Sequence, residues 1–343
     1  MKQINQLTFT RFIAAMTIVI YHFGIERDIP AFPFDKVEIL HKIFKGGNLG
    51  VSYFYVLSGF IMCYNYYQDS GSLDKKKFWI ARFSRIYPMH IVAMLLMFLV
   101  YAFIKDKLTI KSLFLQITLL QAWSFQYRHS FNWPAWSLSV EGFFYAVCPL
   151  LLVFFQKNTK KTILLAVLVF WAVSMIQQWF FFIEKMPLPL IHVNGFLVGM
   201  LAGYYFRKNQ FVGLFNNTTN TIFFLISFAI VIYMATIPEF FISTSGFLAP
   251  VFSVLILSIA SNTSSISTFF SKKFFILLGE ISYCIYILHW PVWLILDKYK
   301  MIEMNKDVQF YLYLLLVNIV SYICYKYIEV PSRIYLRNTL SKR

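Results

Sequence analysis

Eleven apolar runs follow one another along the chain, near residues 8–24, 48–67, 86–104, 110–123, 136–155, 163–183, 189–206, 221–237, 244–261, 276–296 and 308–328. Only short polar connections separate them. A hydrocarbon core of about 30 Å needs roughly 20 apolar residues of helix to cross it. Within that core every backbone N–H and C=O must be satisfied inside the segment, which leaves the helix as the form for runs of this length. The expected fold class is therefore all-α and polytopic, a single membrane-embedded bundle over residues 1–343. Composition agrees where it is decisive: 13% of the residues are charged, against about 25% in soluble domains. In so apolar a chain the net charge of +16 reads as membrane topology, not as a nucleic-acid surface. Cys63, Cys148, Cys284 and Cys324 all fall in apolar runs and read as buried thiols, with neither a disulfide frame nor a metal site.

Charge decides which runs cross. Lys75, Lys76, Lys77, Arg82 and Arg85 put the connection before residue 86 in the cytoplasm, and Lys157, Lys160 and Lys161 do the same after residue 155. An even number of crossings must lie between two cytoplasmic loops, yet three runs lie there. The shortest, 110–123, is expected to be a re-entrant or interfacial segment on the outer side. Ten crossings remain, with both termini cytoplasmic. On this assignment 18 cations and three acids fall inside against 12 cations and ten acids outside, so nearly all the asymmetry lies on one face. The first run carries Arg11 and no small-residue cleavage site, so it does not read as a removable leader.

That first run, TRFIAAMTIVIYHFG (10–24), holds Arg11 and His22. Ionisable groups inside a membrane segment are costly and by default mark function. Eleven residues at about 100° each make just over three turns, so both side chains leave one helix face. Along the axis they stand roughly 16 Å apart. His22, Glu141 in the run at 136–155 and His289 in the ninth crossing are all expected in one layer of the outer half, from about 1.5 Å of rise per residue.

Further motifs follow in order: GNLGVSYFYVLSGFIM (47–62), ARFSRIYP (81–88), WSLSVEGFFYAVCPLL (136–151), LGEISYCIYILHWPV (278–292) and YIEVPSR (327–333). With RFIAAMTIVIYH (11–22) they resemble the acyltransferase-3 family of integral-membrane O-acyltransferases, the polysaccharide O-acetylase type. The shared elements are its Arg-ten residues-His helix, its Leu-Ser-Gly-Phe segment, its Arg-x-x-Arg step, its Trp-Ser-Leu-x-x-Glu helix, its late Tyr-x-x-His-x-Pro helix and its closing Glu-x-Pro. The likeness spans residues 7–333.

The resemblance implies transfer of an acyl group, acetyl from cytoplasmic acetyl-CoA, to a hydroxyl of an extracytoplasmic polysaccharide or its lipid-linked precursor, with no metal. Such transfer needs a base, and imidazole, here His22, is the usual one near neutral pH. A carboxylate at similar depth, Glu141, would orient it. Arg11 would steady the donor's carbonyl or phosphates, or else snorkel to the surface. Arg82 and Arg85, three apart on one face, suit the phosphates of CoA or serve as positive-inside anchors. Ser58 reads as packing beside Gly59 more than as a nucleophile, since no elbow pattern surrounds it. Asn48, among Gly46, Gly47 and Gly50, would line the acceptor mouth. Tyr283 and Tyr286 would order the channel or fill it, and Pro291 would kink the helix and expose His289. Gly195, Gly199 and Gly203 read as a packing ladder.

The expected location is a bacterial cytoplasmic (inner) membrane, with the lipid bilayer, an acyl-CoA donor and a glycan acceptor as partners. Some family members carry a fused extracytoplasmic domain. This sequence closes about ten residues beyond its Glu-x-Pro, so none is expected, which favours direct transfer or a separate extracytoplasmic transferase partner. Two other readings stay open: acylation of a small molecule such as a macrolide, and a polysaccharide transporter in which Arg11 and His22 bind or relay substrate. No inverted repeat supports the latter.

Overall fold

The computed structural model describes residues 4–25, 31–70, 73–104, 109–180, 187–210, 217–237, 246–298 and 305–340. Each run expected to cross is a helix: α1 (Asn5–Ile20), α3 (Leu49–Tyr66), α4 (Lys75–Ile104), α6 (Trp136–Lys157), α7 (Lys160–Phe180), α8 (Leu188–Arg207), α9 (Asn217–Ala235), α10 (Ala249–Ser261), α12 (Lys273–Lys298) and α13 (Lys306–Cys324). Short helices α2 (Glu38–Lys45), α5 (Ile110–Ile117) and α11 (Ser265–Phe270) lie between them. The last crossing runs on through a π-helical turn, Tyr325–Glu329, into α14 (Val330–Leu340). Among the described residues there is no strand, and the four cysteines are buried and unbonded. Among the described residues seven helices are long and apolar enough to cross a membrane on that measure alone, the exceptions among the expected crossings being α1, α3 and the thirteen-residue α10. The protein is an all-α polytopic membrane protein.

Contacts between helix termini sort them into two ends. At one end Arg207 Nη1 donates to Tyr64 O (2.6 Å), Gln156 Nε2 to Gln68 O (2.9 Å) and Gln6 Nε2 to Ile259 O (3.3 Å), while Lys208 pairs with Asp69. At the other, Phe32 N donates to Asp307 Oδ1 (3.1 Å). The first end carries the clustered lysines and arginines, as the charge count requires; Lys2, Lys342 and Arg343, counted with it, lie outside the described residues.

Segment 110–123 does not cross. Eight residues of α5 reach about 12 Å, and a 3-10 turn at Gln121–Trp123 follows. Ile110 and Phe114 face outward, whereas the buried Gln116 and Gln121 donate to Ser130 O (2.5 Å) and Ala135 O (2.8 Å). Apolar groups outside and amides inside suit a piece dipping into lipid.

Helices α3 and α8 pack backbone against backbone. A Cβ on Gly59 would meet Phe196 O, one on Gly199 would meet Val56 O and one on Gly203 Phe60 O. Gly195, the fourth member of the ladder read from sequence, has only ordinary contact with the Val56 side chain. Small residues let helix backbones approach where lipid gives no hydrophobic drive. Gly199→Leu is expected to destabilise the bundle by about 1–3 kcal/mol through overpacking, seen as a lower unfolding midpoint in detergent; an unchanged midpoint would refute the close approach.

Prolines inside three helices show how the fold repairs its own breaks. Pro149 cannot donate to Tyr145 O, and Trp79 Nε1 does so instead at 3.0 Å. Pro291 likewise abandons Ile287 O, which accepts from Asn132 Nδ2 at 3.0 Å. Helix α12 therefore runs on through Pro291. His289 is 1% exposed, so the expected kink does not open it to the cavity.

Candidate active site

Helices α1, α3, α4, α6, α12 and α14 enclose a cavity of about 540 Å³. Its wall carries Arg11 from α1, Ser58 from α3, Arg82 and Arg85 from α4, and Glu141 and Tyr145 from α6. Tyr283 and Tyr286 come from α12, and Arg333 and Arg337 from α14 place the mouth at the basic end. Arg11 makes no hydrogen bond among the described residues, although it shares the cavity wall with Arg85 and Glu141. A guanidinium held in a membrane bundle without a fixed partner suits an anionic or carbonyl-bearing ligand.

The two arginines of the Arg-x-x-Arg step have different surroundings. Arg82 Nη2 donates to Tyr66 OH (3.1 Å), and its guanidinium lies 5.5 Å from the Tyr66 ring centre and 5.7 Å from that of Tyr145. Arg85 is ion-paired with Glu329, which is fully buried and also lies 3.1 Å from Cys284 Sγ. Glu141 accepts from Tyr145 OH, one turn along its own helix.

His22 sits in the π-helical turn Tyr21–Ile25 that ends α1. Such turns recur at functional sites because one extra residue re-aims the side chains. Its Nδ1 lies 2.9 Å from His289 Nε2, with the ring planes 15° apart. His289 Nδ1 in turn lies 2.6 Å from Tyr286 O. A carbonyl only accepts, so Nδ1 of His289 holds the proton and donates it. Neutral His289 then accepts at Nε2, His22 donates from Nδ1, and His22 keeps its lone pair at Nε2. A backbone carbonyl, acting through a second imidazole, does here what a carboxylate does for many catalytic histidines. Glu141, expected beside His22, makes its hydrogen bond to Tyr145 instead and lines the arginine cavity.

Tyr286 links the two regions. Its hydroxyl contacts Ser137 Oγ (2.7 Å) and Pro134 O (3.2 Å) at the inner end of the cavity, and its carbonyl holds His289 one turn on. Tyr283 OH donates to Ile86 O at 2.5 Å. Asn48 stands at the start of α3, off the cavity wall, and its neighbouring glycines serve close packing: Gly46 against Ala235 and Gly47 against Tyr21. Sequence reasoning missed the His22–His289 contact, the Arg85–Glu329 pair and the place of Arg333 and Arg337 in the wall. The YIEVPSR motif signalled Glu329, but not its partner.

The acyltransferase-3 family, described as an acyltransferase domain, matches residues 4–326. A candidate O-acetyltransferase of Staphylococcus aureus (strain COL) is 24% identical, over 97% of this chain and 58% of its own length. The peptidoglycan O-acetyltransferase OatA of Listeria monocytogenes is 24% identical, over 84% of this chain and 52% of its own. A candidate acetyltransferase of Acidianus two-tailed virus is 26% identical, over 81% of this chain and 80% of its own. The chain thus spans little more than half the length of the first two relatives. No solved structure is detectably similar to it. Because the match runs from the start of α1 to the π-turn after α13, the chain belongs to the acyltransferase-3 family.

Proposed function

We propose that this chain is a membrane O-acetyltransferase. It takes acetyl from acetyl-CoA entering at the basic, cytoplasmic end and passes it to a hydroxyl of an extracytoplasmic polysaccharide or its lipid-linked precursor. The observation that carries the reading is the imidazole pair His289–His22, held by the carbonyl of Tyr286, a residue in the wall of the arginine-lined cavity. The CoA phosphates meet the arginines, Arg11 steadies the arm, and the thioester reaches the Tyr286 end. There the acceptor hydroxyl attacks the acetyl carbonyl and gives its proton to Nε2 of His22. The carbon–sulfur bond breaks, CoA leaves as the thiol after taking up a proton, and His22 returns to its neutral form. His289, bonded to Nδ1, keeps the lone pair of His22 on the reacting side. The Listeria relative is named a peptidoglycan O-acetyltransferase, which supports a glycan acceptor.

The test is wild-type chain in membranes supplied with acetyl-CoA and isolated glycan. Release of CoA thiol matched by acetate on the glycan is expected; transport of glycan without thiol release would overturn the reading. The location, a bacterial inner membrane with both termini cytoplasmic, has its own check. In intact cells Lys157→Cys is expected to resist an impermeant thiol reagent and Lys36→Cys to react. Labelling at 157 would reverse the orientation.

A further inference from the structure

The basic mouth of the cavity is ringed by Arg82 and Arg85 of α4 and by Arg333 and Arg337 of α14. Arg85 is committed to Glu329, which is fully buried and reached only at 3.8 Å by Arg333. Arg337 is exposed and has no acidic partner among the described residues. Ile334 and Asn338 line the cavity as well, so one face of α14 forms part of its wall. Residues four apart share a helix face, and here that face borders the cavity mouth, with Ile334 and Arg337 still exposed there. Against the arginines, the wall holds Glu141, bonded to Tyr145, and Glu280, bonded to Tyr325. The excess of positive charge at the mouth calls for an anion of several charges, and paired guanidiniums suit phosphate oxygens.

We propose that α14 forms the phosphate end of the donor site. Arg333 and Arg337, facing Arg82, hold the diphosphate and ribose phosphate of a nucleotide thioester. The Arg85–Glu329 pair fastens α14 to α4 so that this face stays in place. This rests on the donor reading under Proposed function. Anionic lipid headgroups at the same membrane face offer similar chemistry, so the test separates the two.

Full-length protein in nanodiscs of neutral lipid is titrated with CoA and with pantetheine, which has the same thiol arm and no nucleotide phosphates. Arg333→Gln with Arg337→Gln is expected to raise the Kd for CoA roughly tenfold or more and to leave that for pantetheine unchanged. Arg333→Lys with Arg337→Lys should recover part of the loss, and the unfolding midpoint should match wild type. Equal weakening of CoA and pantetheine, or an unchanged CoA Kd where wild type binds, overturns the inference alone. So does a glutamine variant that loses only phosphatidylglycerol binding when that lipid is added. Failure of wild type to bind CoA at all would overturn the donor reading, and this inference with it.

Discussion

His22→Ala is expected to lower acetyl transfer by roughly 10²–10⁴-fold, the usual cost of losing a general base, while CoA binding is retained. Retention follows from placement: His22 does not line the arginine cavity, and its ring is bonded to His289. His289 should behave as a positioning residue. His289→Leu removes the acceptor for His22 Nδ1–H and the donor to Tyr286 O, so the ring of His22 loses its fixed tautomer. His289→Gln can supply both, accepting with its amide oxygen and donating with its amide nitrogen, and should rescue much of the loss. Because the two imidazoles act as one unit, His22→Ala combined with His289→Leu should be little worse than His22→Ala alone. Acetate on isolated glycan and donor binding to the purified variants are the measurements. Loss of CoA binding in His22→Ala, or wild-type activity in His289→Leu, would overturn these roles.

The all-α bundle was legible because it rests on local quantities: run length, charge on each connection and residue spacing. Even the failure of 110–123 to cross followed from parity and length. The packing of Gly59, Gly199 and Gly203 was legible for the same reason, since a four-residue repeat on one helix face needs no partner to be seen. Depth arithmetic put His22, Glu141 and His289 in one layer, but rise per residue gives height and not direction around the bundle. Which neighbours touch depends on helix packing, and the π-turn at Tyr21–Ile25 re-aims His22 in a way apolar periodicity does not record. Pro291 announced a missing N–H; that Asn132, 155 positions away from Ile287, would supply the replacement did not show. Arg333 and Arg337 were counted as topology charges because a cation near the end of a crossing looks the same whether it faces headgroups or a cavity.

Arg85→Ala separates two roles that sequence alone cannot. A phosphate clamp would weaken donor binding and leave the fold intact. The structure instead makes Arg85 the ion-pair partner of Glu329, across 244 positions of chain and in a place where Glu329 has no exposed surface. Removing one member of a buried pair leaves an uncompensated charge and costs about 3–5 kcal/mol. Arg333 at 3.8 Å and the Cys284 thiol at 3.1 Å offset part of that. Arg85→Ala is therefore expected to lower the unfolding midpoint in detergent sharply, more than Arg82→Ala, because losing Arg82's contacts to the Tyr66 hydroxyl, the Met62 sulfur and the Tyr66 and Tyr145 rings strands no buried carboxylate. Removing both charges together is the decisive variant. Arg85→Met with Glu329→Gln leaves no stranded ion, and replacing a whole buried pair by neutral groups is often close to neutral in stability. The double variant should recover most of the midpoint lost in Arg85→Ala. If Arg85→Ala unfolds like wild type but loses CoA binding, Arg85 is a phosphate ligand and the fastening role assigned to its pair with Glu329 is wrong.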